Sequence, residues 1–364
     1  MKKVISVVGA RPNFMKVAPI HKAFAAYSDL VQHLICHTGQ HYDKAMSKVF
    51  FDELEMPQPA FYLGISSGSQ IEQIANIMLA FENILKQEKP DLIIVVGDVN
   101  STIACGLVAS RLGIKIVHVE AGLRSFDREM PEEVNRLLTD ALADHLFVSE
   151  PAGLLNLKHE GVSDAKISYV GNVMIDSLVA YLPKINASNI LNEFKLTADK
   201  YVLVTMHRPS NVDDKESLLE IVDFLNDIAA MRTVVFPIHP RTRNHLKAFN
   251  LDESLHNNII VCDPLGYTDF MCLAKNSELV VTDSGGIQEE TTFLQKQCIT
   301  VRNNTERPVT VTLGTNQLIG TNMQEVKTAV MEVFGGKIKS GSIPELWDGM
   351  TAKRICAILM EKFL

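Results

Sequence analysis

The chain reads as an α/β protein of two doubly wound domains, each a parallel sheet flanked by helices. Three observations predict this class. Short apolar runs rich in β-branched residues alternate with amphipathic stretches, which is the signature of parallel βα units. The alternation starts afresh in the second half of the chain. A length of 364 residues also suits two domains of ordinary size better than one.

The elements follow in order. In the first half the predicted strands are residues 4–8, 31–37, 92–96, 114–119 and 145–148, and in the second half 201–205, 233–236, 258–261, 279–281 and 297–301, with helices between them. The first strand of each half ends in a similar turn, Ala10-Arg11-Pro12-Asn13 and His207-Arg208-Pro209-Ser210, which hints at related halves. A linker is expected within 176–199, where the pattern is less regular. At the end, 351–364 places Ile355, Ile358, Leu359 and Phe363 on one helical stripe that needs a partner surface.

Composition narrows the function classes. A net charge of −8 argues against nucleic acid and makes any anionic ligand depend on a local cluster of cations and helix ends. The six cysteines form no CxxC pair and several sit in apolar runs, so they read as reduced thiols of a cytosolic protein. The apolar start breaks at Gly9 and Arg11-Pro12, and no later run approaches the ~20 apolar residues of a membrane span. A cytoplasmic location is expected.

Two strand-to-helix turns point to phosphate chemistry. After the first strand come Gly9-Ala10-Arg11-Pro12 and then Lys16; after the strand at 279 comes Thr282-Asp283-Ser284-Gly285-Gly286, which opens a helix. A helix N-terminus offers unpaired N–H groups and the positive end of its dipole, and glycine lets an anion reach the backbone. Asp283 and Ser284 are also preferred N-caps, so a plain helix start competes with the phosphate role. Glu289 and Glu290 follow in the first turns, and one of them can hold ribose hydroxyls. Acids cluster elsewhere at predicted strand ends, the edge where open α/β sheets bind ligands: Gly97-Asp98 after one strand, and His118-Val119-Glu120-Ala121-Gly122-Leu123-Arg124 after the next. A helix cap for Asp98 and an ion pair to Arg124 or Arg128 for Glu120 are the structural alternatives. Behind Pro131 stand Glu132, Glu133 and Arg136, where a solvated helix start competes. His33, His37 and His41 have metal-like spacing but straddle a strand end, so no metal site is read there. No GxGxxG, no Tyr-x-x-x-Lys and no Walker A loop occurs, which disfavours a nicotinamide-dependent epimerase and a P-loop enzyme.

Taken together and in order, Gly9-Ala10-Arg11-Pro12, Gly97-Asp98, the 118–124 run, Pro131-Glu132-Glu133-Val134-Asn135-Arg136, the 282–290 run and Thr305-Glu306-Arg307-Pro308 resemble the non-hydrolysing UDP-N-acetylglucosamine 2-epimerases. The resemblance implies a GT-B fold, two Rossmann-like domains with the active site in the cleft: 1–175 carrying the catalytic carboxylates, 176–345 binding UDP, and 346–364 a helix packing back on the first domain. It implies Asp98, Glu120 and Glu132 as catalytic carboxylates, with His207. Phe270 would lie near the uracil, Ser284, Gly285 and Gly286 at the diphosphate and Glu290 at the ribose. Arg11, Lys16, Arg136 and Arg307 would complete substrate binding, in a homodimer serving cell-surface polysaccharide synthesis.

The chemistry explains such a set. The C2 hydrogen of a hexosamine is not adjacent to a carbonyl, so its removal must accompany loss of the diphosphate from C1. That gives a glycal and UDP, and re-protonation from the other face gives the manno isomer. An acid or base is needed on each face, with cations for the leaving group, and neither metal nor redox cofactor. Some family members are activated by substrate at a second site; here Asp43 and the Gly68 region depart from their pattern, so that activation is not expected. The turn after His207 departs as well, reading Arg208-Pro209-Ser210. Gly39-Gln40-His41-Tyr42-Asp43 also fits the related epimerases of UDP-2,3-diacetamido-2,3-dideoxyglucuronic acid, whereas Glu306-Arg307-Pro308 leans to the plain N-acetylglucosamine enzyme. A GT-B glycosyltransferase, a hydrolysing epimerase and a non-catalytic nucleotide-sugar binder are the other classes.

Overall fold

The computed structural model describes residues 1–39, 56–65 and 68–364, with the Arg11 side chain outside that description. The expectations placed on Gln40, His41, Tyr42, Asp43 and the Arg11 side chain therefore fall outside the described residues. The chain forms two compact units, Met1–Val179 with Glu345–Leu364, and Ala180–Pro344.

The first unit carries β1 (Lys2–Val8), α1 (Arg11–Phe24), β2 (Val31–His37), β3 (Phe61–Tyr62), α2 (Gln70–Glu88), β4 (Leu92–Val96), α3 (Asn100–Arg111), β5 (Lys115–Ala121), α4 (Pro131–Leu142), β6 (His145–Val148), α5 (Pro151–His159) and β7 (Ile167–Tyr169). The strands pair in parallel in the order β3-β2-β1-β4-β5-β6-β7. Strand order reverses between β1 and β4, which makes the carboxyl ends of those strands the crevice where doubly wound sheets bind ligands. Ile5, Val7, Ile93 and Val95 bury one face against Ile77, Phe81 and Leu85 of α2.

Helix α6 (Val173–Ala187) leads from this unit into the next and is followed by the short α7 (Ile190–Glu193). The stretch expected as an irregular linker is thus largely helical. Pro183 sits inside α6.

The second unit continues with β8 (Tyr201–Thr205), α8 (Pro209–Val212), α9 (Lys215–Ala229), β9 (Thr233–Pro237), α10 (Pro240–Ala248), β10 (Ile259–Cys262), α11 (Tyr267–Asn276), β11 (Leu279–Thr282), α12 (Gly285–Phe293), β12 (Cys298–Thr300), α13 (Pro308–Thr312), β13 (Asn316–Leu318) and α14 (Met323–Phe334). Its parallel order is β10-β9-β8-β11-β12-β13, so the reversal falls between β8 and β11. Val202, Val204, Val281 and Ile299 pack against Ile221, Leu225 and Ile228 of α9.

The last helix, α15 (Thr351–Lys362), returns to the first unit. It buries Ala352, Ile355, Cys356 and Leu359, and the Cys356 thiol lies 3.7 Å from the Ile20 carbonyl of α1. Ile358 and Phe363 are only half-buried, so the inward stripe is turned slightly from the expected one. Three edge strands, β3, β7 and β13, were not predicted; two or three residues are too short to show a periodic signal.

Candidate active site

In the first unit a buried ion pair marks the switch point. Lys16 Nζ of α1 contacts Glu120 Oε2 of β5, and both side chains are almost fully enclosed. The sheet register slips between Val119 and Ala121, and Glu120 takes a left-handed φ of +72°. A bulge of this kind re-aims one side chain at a strand end, and such strain persists only where the surroundings impose it. Glu120 is therefore paired with Lys16 rather than with Arg124, which is bound by Asp140 and Glu160. Gly97 adjoins the pair: its φ is +65°, and a Cβ there would come within 3.2 Å of Lys16 Nζ.

The turn after β1 is occupied by its own helix. Asn13 Oδ1 accepts from the Gly9 and Ala10 amides at 3.1 and 2.9 Å, and Asn13 Nδ2 donates to the Val96 carbonyl. Gly9 is required by packing, since a Cβ there would lie 2.2 Å from Ser101 Oγ. The Gly9 and Ala10 amides are thus taken up by Asn13, and the cation nearest this turn is Lys16, one helical turn on and paired with Glu120.

Asp98 does not cap α3, whose N-cap is Val99. Its Oδ2 takes Arg136 Nη1 of α4 at 2.5 Å, and its backbone carbonyl takes Asn135 Nδ2 at 2.8 Å. Arg136 also donates to Glu133 Oε2 at 2.8 Å. Burial pushes the Glu133 carboxyl up, but the Ser125 and Phe126 amides and Arg136 outweigh it and hold it below the usual range. Glu133 thus orders Arg136, while Glu132, one residue earlier and about 100° round the helix, is exposed. The Lys16–Glu120 and Arg136–Asp98 pairs thus stand at the ends of the neighbouring strands β5 and β4, and Glu132 is exposed in the first turn of α4.

The second unit repeats the placement at β8 and β11. Asp283 is fully buried and holds the turn after β8: Oδ2 accepts from the His207 and Arg208 amides at 2.9 and 2.8 Å and from Asn211 Nδ2 at 3.1 Å, and Oδ1 meets His207 Nδ1 at 2.8 Å. Burial raises this carboxyl, and His207 with the two amides more than reverses the effect. Ser284 is the N-cap of α12 and makes no side-chain capping bond there. Gly286 has open space where a side chain would be, whereas a Cβ on Gly285 would lie 2.9 Å from Glu306 Oε1, 3.3 Å from Arg307 Nη1 and 3.8 Å from Arg302 Nη1.

Those neighbours form a buried charge cluster beside the helix start. Arg302 Nη2 donates to Glu306 Oε2 at 2.8 Å, Arg307 Nη1 to Glu306 Oε1 at 2.5 Å, and Arg307 Nε pairs with Glu289 Oε1 at 2.8 Å. Arg302 Nη1 is buried without a hydrogen-bond partner. Glu289 is thereby committed to Arg307. Glu290 is buried beside Tyr267, whose phenol is pushed well above its ordinary value by burial and by that carboxylate. Phe270 sits half-buried on the same helix as Tyr267. Arg302 escaped the sequence reading, although as a charged residue at the end of a buried strand it satisfied the rule that selected Asp98 and Glu120.

No group of three or more His, Cys, Asp or Glu residues placed to hold a metal ion occurs among the described residues. No described helix is long and apolar enough to cross a membrane.

Two Rossmann-like sheets with charged switch points define a GT-B protein. A family model for UDP-N-acetylglucosamine 2-epimerase matches residues 24–360, and the chain belongs to that family. It is 46% identical over 328 residues to a UDP-N-acetylglucosamine 2-epimerase homolog of Methanococcus maripaludis, covering 89% of this chain and 90% of that protein. It is 40% identical to the UDP-2,3-diacetamido-2,3-dideoxy-D-glucuronate 2-epimerase of Pseudomonas aeruginosa, covering 99% of both. Among solved structures, the Methanocaldococcus jannaschii UDP-GlcNAc 2-epimerase in complex with UDP-GlcNAc and UDP superposes with a TM-score of 0.90 at 42% identity, covering 99% of this chain and 100% of that one.

Proposed function

We propose that the protein interconverts UDP-N-acetylglucosamine and UDP-N-acetylmannosamine by eliminating UDP and adding it back. The observation that carries this reading is the enclosed Lys16–Glu120 pair beside Asp98 and Arg136, acid–base groups and cations gathered at one switch point. A base takes the proton from C2 as the C1–O bond breaks; the C2–H electrons form the C1=C2 bond of the glycal and the C1–O electrons leave with UDP. An acid on the opposite face returns a proton to C2 as UDP adds again at C1. Asp98, Glu120 and Glu132 serve as the proton-transfer groups, and Lys16, Arg11 and His207 offset the charge of the departing diphosphate. UDP rests on the second unit, with its diphosphate at Ser284, Gly285 and Gly286, its uracil by Phe270 and its ribose at Glu290. Arg307 and the spare Arg302 donor reinforce that helix start.

Incubation with UDP-N-acetylglucosamine in D2O tests the reaction. The expected product is UDP-N-acetylmannosamine carrying deuterium at C2, without added nicotinamide or metal. Product that keeps protium throughout rules out elimination. Turnover confined to the 2,3-diacetamido glucuronate substrate, tried in parallel because of the Pseudomonas relative, moves the reading to that sugar.

The cradle has its own test. Ser284→Ala removes a diphosphate hydrogen bond and Glu290→Ala a ribose acceptor, so calorimetry should show each weakening UDP binding by about 1 to 3 kcal/mol. Unchanged affinity in both variants places UDP elsewhere.

A further inference from the structure

Behind the Gly97–Asp98 turn lies a chain of buried charges that the reaction above does not use. His118 is fully buried in β5; Nδ1 meets Asp140 Oδ1 at 2.6 Å and Nε2 meets the Gly97 carbonyl at 2.8 Å. A carbonyl oxygen can only accept, so Nε2–H donates to Gly97. Asp140 Oδ2 takes Arg124 Nη2 at 2.7 Å and the Gly122 amide at 3.0 Å. Burial pushes the Asp140 carboxyl up, but His118 and Arg124 hold it below the usual range, so Asp140 accepts from Nδ1–H. Arg124 is clamped in turn by both oxygens of Glu160, at 2.8 and 2.7 Å.

The Gly97 peptide is thus gripped by β5 on both sides. Its N–H donates to the Val119 carbonyl at 3.0 Å and its C=O takes the His118 ring. Gly97 has a left-handed φ and no side chain to restrain it, so these two bonds decide how the following residue, Asp98, is presented to Arg136.

We propose that His118, fixed by Asp140, is a positioning residue that sets Asp98 through the Gly97 carbonyl and steadies Glu120 two residues along its own strand. This rests on the reading of Asp98 and Glu120 as proton-transfer groups. Its action on rate is geometric: a displacement of about 1 Å at a reacting group costs on the order of 10²-fold.

His118→Phe keeps a ring and loses both donors, whereas His118→Gln offers an amide N–H near the Nε2 position. The expected result for His118→Phe is a fall in kcat of about 10²-fold, with KM and the UDP dissociation constant moving less than about threefold. His118→Gln should recover about tenfold of that loss. Asp140→Asn probes the same link without touching the ring, and the same split between kcat and KM is expected should His118→Phe fail to fold. A merely structural role would lower UDP affinity together with kcat and give no advantage to Gln. That pattern, or wild-type kcat in His118→Phe or Asp140→Asn, overturns the inference. Wild-type turnover measured alongside separates the failures: its absence overturns the epimerase reading and this inference with it, and its presence with normal variants overturns this inference alone.

Discussion

Glu120→Gln is expected to lower kcat by about 10²-fold to 10⁴-fold, the range for loss of general acid–base catalysis. The amide keeps the volume of the side chain but cannot take up or release the proton. It also leaves Lys16 as a buried charge without its carboxylate, so this variant alone among the carboxylate amides should unfold more easily, by about 3 kcal/mol or more in urea titration. Asp98→Asn and Glu132→Gln should lose turnover over the same range without that penalty. In Asp98→Asn the buried Arg136 keeps the carboxylate of Glu133, and Glu132 is exposed at the start of α4. UDP affinity should stay within a few-fold of wild type in all three, because the nucleotide cradle proposed above is built from the second unit. Normal turnover in all three amides returns these residues to plain structural roles.

Loss of stability on mild acidification is the second large effect. Burial, with His21 alongside, pushes the pKa of His33 down to about 3; burial alone takes His37 down to about 4, and burial with Lys362 nearby takes His145 to about 4. The unfolded chain binds protons at these histidines below about pH 6.5, whereas the folded chain refuses them until pH 3 to 4. Between those limits the unfolded state holds more protons, so stability falls as pH falls. Each histidine contributes a slope of about 1.4 kcal/mol per pH unit, and three together approach about 4 kcal/mol per unit. Against a total of about 5 to 15 kcal/mol, that is a large share by pH 5. The depressed carboxylates Glu133, Asp140 and Asp283 stabilise the fold above about pH 4, and that contribution is lost only as pH falls further through their folded values. The urea midpoint should therefore drop already between pH 7 and pH 5. A midpoint that holds steady to pH 5 shows that these histidines take up protons in the folded state.

The sequence carried the central strands, such as β4 with Leu92-Ile93-Ile94-Val95-Val96, because they are apolar on both faces, and a continuous β-branched run is hard to read otherwise. Strands β2, β4, β6 and β8 fall on the predicted residues. The edge strands β3, β7 and β13 were invisible, since two or three residues at a sheet margin leave no periodic trace, whereas the four-residue edge strand β10 was read. Strand ends also led to Asp98, Glu120 and Ser284 as candidates, because the end of a buried strand has little use for a charge or a hydroxyl unless something binds there. What one dimension cannot contain is the choice of partner. Glu120 lies four residues from Arg124 yet meets Lys16, some hundred residues upstream. Asp283 precedes a helix start as a cap would, yet serves a turn seventy-six residues earlier. The first glycine turn illustrates the reverse error: Gly9 looked like a phosphate loop, but Ser101 needs the space and Asn13 takes the amides.

That commitment of Asp283 has a mechanical side. Three donors on one of its oxygens and the imidazole on the other fasten the loop after β8 to the loop after β11, and the hydroxyls of Thr205 and Thr282, 2.7 Å apart, add a second rivet just beneath. The two loops form a single stiff bracket. The imidazole of His207 is thereby anchored to the residue that leads into the first turn of α12.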